Sequence, residues 1–434
     1  MRLVQLLTIA ACGALIFSVA PIASAATGIP PSAIDGQNDV PELIDFFDRN
    51  FFSDENVDAV VETARHRFET DTLDPWRFAQ SFEAYAIMFE VTSNKKYALA
   101  LARGVKLALE FRDDRQGRVD GFTGLRLPAW GVNVRAYRKR IVDIGSQSLV
   151  LSPIARLYYY LSKDESLSRL TGLSAIDLGT AIAETKSIFY VDLRLKDHYA
   201  YYLQPAGLAA LDCNVHNTPF KEANNKRVNS KGDVELCLKS KNLAGSPAPY
   251  NIQLKVALVD AYVAAATGSS RAHLSVVNAI KYFQSTAIDY IASNEGHLIF
   301  RNAQGRRIED VTHLNLDVEL LFFMWNDFRE ARPEFAPAVE EALLRRIAAS
   351  VVDFAAVRDD KGFYRLSPLI DGSKREVRAA RIDRSCIQIT MLVALDMRIK
   401  DVCGSIFVGL RPSPLGLASL IKGLEVLRKR STVP

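Results

Sequence analysis

Histidine, methionine, tryptophan and cysteine are scarce in this 434-residue chain, with six, five, three and five copies respectively. No Cys-x-x-Cys pair and no His-Glu-x-x-His helix appears, which removes thioredoxin chemistry and the zinc proteases. A glycine-rich phosphate loop, a dinucleotide fingerprint and a Gly-x-Ser-x-Gly elbow are absent too, so nucleotide-dependent and serine-hydrolase classes have nothing to stand on. Charge of one sign is also lacking. Lys and Arg number 54 against 50 Asp and Glu, an excess of +4 that is too weak to imply a nucleic-acid partner. After the first twenty residues no apolar run approaches membrane-spanning length.

What is present begins with a leader. Arg2 precedes an almost unbroken apolar run from Leu3 to Ala20, closed by Ala23-Ser24-Ala25. This pattern reads as a signal peptide over 1–25, cleaved after Ala25, with Cys12 in the removed segment. The expected mature chain, 26–434, is periplasmic or secreted, has no membrane association after cleavage, and forms a single domain. Four cysteines remain: Cys213 and Cys237 in one irregular region, Cys386 and Cys403 near the C-terminus. Two local disulfides are the economical reading among the three pairings possible in an oxidising compartment, and a buried Cys386 thiol is the alternative.

Apolar residues recur at three- and four-residue spacing over Trp76–Val91, Lys96–Phe111, Ile144–Leu161, Ala175–Tyr190, Ile252–Ala266, His273–Ile291, Val311–Phe328, Val339–Phe354 and Cys386–Ile399. The expectation is an all-α chain, with short β-hairpins between helices at Gly117–Leu127 and Gly296–Arg306. The phrase from Tyr85 through Thr92 to Tyr97 recurs from Tyr262 through Thr267 to His273, and more weakly at Tyr158–Leu167. Each copy is a helix, a polar turn and a second helix, so the repeating unit is an antiparallel helix pair. Similar stops at Leu109–Gly117, Asp289–Gly296 and Asp353–Gly362 then belong on one face of the molecule. The segment 211–248, rich in Asn, Lys, Gly and Ser, is an irregular insertion suited to rimming a cleft.

In its repeated helix pairs the chain resembles the α/α-toroid carbohydrate-active proteins: alginate- and chondroitin-type lyases, uronyl epimerases and six-hairpin glycosidases. The resemblance implies a ring of helix pairs with the hairpin loops at one face, around a cleft that takes an acidic polysaccharide or oligosaccharide. The consecutive asparagines followed by His and Tyr that mark alginate lyases are absent; Asn214-Val-His216-Asn217 is the nearest echo.

Candidate site residues are those at the starts of the long helices. Asp310, His313 and Asp317, with Glu309 just ahead, share a helix face, where an imidazole among acids suits a general base or a metal ligand set. By the resemblance, Tyr250 is a proton donor, Asn251 and Arg384 neutralise a uronate carboxylate, and His313 or Tyr250 removes the proton beside it. Basic residues cluster at Arg135, Arg138, Lys139 and Arg140 and at Arg378, Arg381 and Arg384, as an anionic polymer requires. Trp76, Trp130 and Tyr202 offer faces for sugar stacking. Asp143 is either a helix cap or the partner of Glu309 or Asp310 in an inverting glycosidase. The expected function is lyase or C5-epimerase action on a uronate-containing polymer, without cofactor or metal. The alternatives are a glycoside hydrolase and a non-catalytic polysaccharide-binding protein of an export or assembly system.

Overall fold

Two kinds of helix alternate along the chain, because two kinds of sequence do. Segments that are apolar nearly all the way round leave no face for water, while segments with one apolar stripe can lie between the core and solvent. The computed structural model describes residues 40–121, 124–134, 139–189, 201–203, 209–211, 249–287, 296–300, 309, 311–334, 339–358, 364–367, 369–372, 386–409 and 413–432. The described helices are α1 (Val40–Phe51), α2 (Asp54–Glu69), α3 (Pro75–Thr92), α4 (Lys95–Glu110), α5 (Asp113–Gln116), α6 (Ile144–Lys163), α7 (Glu165–Thr171) and α8 (Ala175–Ser187). After the insertion come α9 (Tyr250–Thr267), α10 (Ser270–Ala287), α11 (Val311–Trp325), α12 (Asp327–Ala331), α13 (Glu341–Ser350) continued by a π-helical turn (Val351–Ala355), a 3₁₀ helix (Gln388–Ala394), α14 (Arg398–Gly409) and α15 (Pro414–Ser431). The chain is thus mostly helical. Among the described residues no helix is long and apolar enough to cross a membrane.

The segments buried on every face pack in a closed circuit: α3 on α6, α6 on α9, α9 on α11, α11 on the 3₁₀ helix, that helix on α15, and α15 back on α3. The amphipathic helices lie against them, α4 on α3, α8 on α6, α10 on α9, α13 on α11 and α14 on the 3₁₀ helix. Most of the buried apolar side chains form one cluster through these contacts.

Helix starts follow from capping chemistry. Asp74 accepts from the Arg77 amide ahead of α3, with Pro75 in the first turn, and Asn94 accepts from Lys96 ahead of α4. The repeated phrases close with the same turn twice. Thr92 Oγ1 donates to Met88 O at 2.7 Å and accepts from Asn94 N at 3.1 Å; Thr267 Oγ1 donates to Val263 O at 2.8 Å and accepts from Ser269 N at 3.1 Å. Ser93 and Gly268 then take the left-handed conformation, φ 54° and 71°, that lets the chain reverse.

Among the described residues there are three two-stranded antiparallel hairpins: β1 (Val132–Val134) with β2 (Lys139–Ile141), β3 (Tyr201–Leu203) with β4 (Ala209–Leu211), and β5 (Ala356–Arg358) with β6 (Tyr364–Leu366). They are not where the sequence suggested. The described residues between Gly117 and Leu127 form a loop that closes on itself, Asp120 N donating to Leu125 O and Gly124 N to Asp120 O, and residues 301–306 lie outside the described set.

Two further corrections concern helices. The expected helix over Cys386–Ile399 is instead the short 3₁₀ turn followed by α14. Asn315 Oδ1 accepts from both Ile387 N and Ile389 N, which diverts those amides from an α-helical start. The circuit is closed by α15, a helix that periodicity missed because Gly416 and Gly423 weaken it as a helix former. Those glycines permit the contact: a Cβ on Gly423 would sit 2.7 Å from Met391 O, and one on Gly416 would sit 2.7 Å from Cys386 O. The Cys386–Cys403 disulfide forms, with Cα atoms 5.6 Å apart, and ties the 3₁₀ segment to α14. Cys213 and Cys237 lie outside the described residues.

Candidate functional site

Charged residues inside otherwise apolar helices have to meet opposite charges, since an unpaired buried ion is too costly to keep. Here they meet along the axis of the circuit as an alternating chain of seven groups. Lys255 on α9 donates to Glu83 on α3 (2.6 Å) and to Glu319 on α11 (2.7 Å). Arg156 on α6 bridges Glu319 (2.6 Å) and Glu90 on α3 (2.7 Å), and Lys422 on α15 bridges Glu90 (2.6 Å) and Asp327 (2.6 Å). Tyr160 donates to Glu90 at 2.6 Å and Tyr262 at 3.2 Å, with the Arg156 guanidinium 4.9 Å from the Tyr262 ring centre.

These environments separate the carboxyls. Burial alone would raise Glu90, but Lys422 and Arg156 beside it and the hydrogen bonds it accepts hold it down at about 2. Burial likewise opposes ionisation of Glu319, and Lys255 with Arg156 outweighs it, keeping that carboxyl below its ordinary value. For Glu83, burial and the neighbouring Glu319 carboxylate win over Lys255 and Arg156, so its value is raised; burial raises Asp327 as well, against the pull of Lys422.

At the end where the inner helices begin, the axis opens into a cavity of about 20 Å³, room for roughly one water molecule. It is lined by Trp76, Gln80 and Glu83 of α3, Leu149 of α6, Thr312 and Asn315 of α11, and Gln388 of the 3₁₀ helix, among others. The His313 ring lies 6.1 Å from the Trp76 ring, centre to centre. His313 is 32% exposed, with Nδ1 3.8 Å from Oε1 of the fully buried Glu309. Glu309 is itself pinned by its backbone, N donating to Phe300 O and O accepting from Ile370 N. An imidazole backed by a carboxylate and flanked by an indole can accept a proton from a ligand stacked on Trp76.

His313, Glu309 and Trp76 therefore come together, and other expected residues do not join them. Tyr250 is 1% exposed; its hydroxyl is 2.6 Å from Thr286 Oγ1 and its ring packs on Tyr282, Phe283 and Phe300, towards the outer helix α10. A donor role for Tyr250 in the cleft is not available in this geometry. Trp130 is fully buried, with Nε1 donating to Ala108 O and its backbone joined to the Gln147 side chain, so neither face is open to a sugar. Asp143 caps α6 by accepting from Ser146 N at 2.9 Å. Arg140 pairs with the Asp113 and Asp71 carboxylates instead of offering a free cation. Asn251 is buried one helical turn before Lys255 on the same face of α9. Asp317, a turn beyond His313, is fully buried. Asp310, Arg138, Arg381 and Arg384 lie outside the described residues, as does the side chain of Tyr202.

The sequence reading missed the axial chain. Its signal was there in single charges set among apolar neighbours, Glu83 after Phe82, Lys255 after Leu254, Glu319 after Val318 and Arg156 two places after Ile154. In comparisons with models of protein families, with curated proteins and with solved structures, nothing matches this chain.

Proposed function

We propose that the closed helix circuit is an α/α toroid, and that the protein is an exported enzyme acting on a uronate-containing polysaccharide by removing the proton beside the uronate carboxylate, as a lyase or C5-epimerase does. The observation that carries this reading is the grouping of His313 and Glu309 with Trp76, which itself lines the cavity, at the starts of the inner helices. Trp76 supplies a stacking face for the sugar ring, and His313 takes the proton. Asn251 and Arg384 keep the role of neutralising the carboxylate, which lowers the cost of the carbanion-like species. The Cys386–Cys403 disulfide suits an oxidising compartment and so supports export. The hydrolase alternative is weaker. Asp143, the carboxylate it would pair with Glu309 or Asp310, is engaged as the cap of α6.

The test is incubation of the purified protein with alginate, pectate, glycosaminoglycan and bacterial exopolysaccharide substrates in deuterated water. Rising ultraviolet absorbance from a conjugated double bond identifies a lyase, and deuterium uptake without that rise identifies an epimerase. Neither signal on any uronate polymer would retire proton abstraction in favour of hydrolysis or simple binding.

A further inference from the structure

The axial chain has four acids and three cations, in the order Asp327, Lys422, Glu90, Arg156, Glu319, Lys255, Glu83. Each inner acid is flanked by two cations, and each terminal acid has one. With every group charged the chain carries one excess negative charge, and a proton bound at whichever end lacks water relieves it. The proton's place is decided at the two ends. Asp327 is 28% exposed and also accepts from the Asn326 side-chain amide at 2.9 Å, so water and a second donor support its charge. Glu83 is 1% exposed and has Lys255 as its single cation, with Glu319 across that lysine. Among the described residues, the other groups facing this end are Arg156, one step away through Glu319, the neutral Gln388, whose amide is 3.4 Å from Glu319 Oε2, and the uncharged Gln80, Thr312 and Asn315 that line the same cavity.

We propose that Glu83 is a neutral carboxylic acid in the resting protein and is the catalytic acid of the cavity, the role that the buried Tyr250 cannot fill. This inference rests on the proton-abstraction reading above for its substrate, but not for the location of the proton. Lys255 donates to Oε1, and the protonated oxygen serves the cavity that Glu83 lines. A space of about 20 Å³ admits one water, which can relay the proton of Glu83 to a leaving glycosidic oxygen held outside it. In the elimination, His313 takes the proton from the carbon beside the carboxylate. That electron pair becomes the carbon–carbon double bond as the bond to the glycosidic oxygen breaks, and the departing oxygen takes the proton of Glu83. Glu83 is left as a carboxylate against Lys255, and His313 as an imidazolium; proton exchange with water restores both.

The first test needs no substrate: infrared difference spectra of the resting protein around neutral pH, in water and in deuterated water. A carbonyl stretch of a protonated carboxyl is expected in the wild type, lost in Glu83→Gln and kept in Asp327→Asn. No such band in the wild type overturns the proposal without any variant, as does a spectrum that Glu83→Gln leaves unchanged or from which Asp327→Asn removes the band; buried Asp113, raised to about 7, contributes equally to all three proteins. The second test uses whichever polymer the wild type cleaves. Glu83→Gln should lose product formation by about 10²- to 10⁴-fold at little changed KM, while deuterium still enters the substrate carbon through His313. Parallel loss of product and exchange would make Glu83 a structural residue. If no polymer reacts, the proton-abstraction reading fails while the infrared result still stands.

Discussion

Where the inner helices stop, the chain reverses within a few residues, and side chains close on backbone: Thr92 and Thr267 repeat one hydrogen-bonding scheme, and Asp164 both ends α6 and caps α7. Where the inner helices start, the links are long. The stretches from α8 to α9 and from β6 to the 3₁₀ helix span tens of residues, and the cavity, Trp76, His313 and Glu309 are gathered there. The difference shows a division of labour within one architecture. Short turns need only local chemistry and contribute rigidity, whereas the opposite end frees helix starts to present polar groups around a common axis. The axial ion chain joins the two, sealed at Glu83 and partly wetted at Asp327.

This contrast can be broken or sharpened by experiment. Lys255→Met strips the sealed end of the cation shared by Glu83 and Glu319 and should cost about 3–5 kcal/mol in urea unfolding; a loss below 1 kcal/mol would mean that the pairs are not buried as described. Reducing the Cys386–Cys403 bond, or replacing both cysteines with serine, frees a loop with a sequence separation of 17 residues. About 3 kcal/mol of stability should go with it, read as a lower melting temperature in reductant. Acid should act on the half of the chain around Glu90. Its folded value of about 2 lies below a free glutamate's 4.5, so its contribution is complete above about 4.5 and is lost as pH falls towards about 2. Glu83, raised in the folded state, has the opposite sign: its contribution is complete at low pH and is lost as pH rises. Melting curves of Glu90→Gln and Glu83→Gln against pH should therefore depart from the wild type on opposite sides. The smallest effect belongs to the tight turns, where Ser93→Gly relieves a left-handed residue and should gain about 1 kcal/mol.

Much of the helical framework was legible because helix periodicity and turn chemistry are local. The likeness of Tyr85–Tyr97 to Tyr262–His273 corresponds to two turns with the same hydrogen bonds. What stayed hidden depends on partners distant in sequence. Nothing near Gly423 announces that Met391 will press against it, and Asn315 gives no local sign that it will hold the Ile387 and Ile389 amides. At the site, His313 and Glu309 are four residues apart in sequence and could be paired by spacing. Glu83 and Lys255 are 172 residues apart, so only the improbability of a lone charge in an apolar helix pointed to either. Tyr250 and Trp130 were misplaced for the complementary reason: an aromatic at a helix start or in a loop carries no mark of which way it faces, and both turn to the interior.

The most direct test of the account compares the two ends in one assay. On a uronate polymer that the wild type turns over, His313→Ala should abolish turnover while keeping the wild-type melting temperature, and Ser93→Gly should keep both turnover and fold. Full turnover by His313→Ala, or equal losses in the two variants, would contradict a catalytic site at the starts of the inner helices.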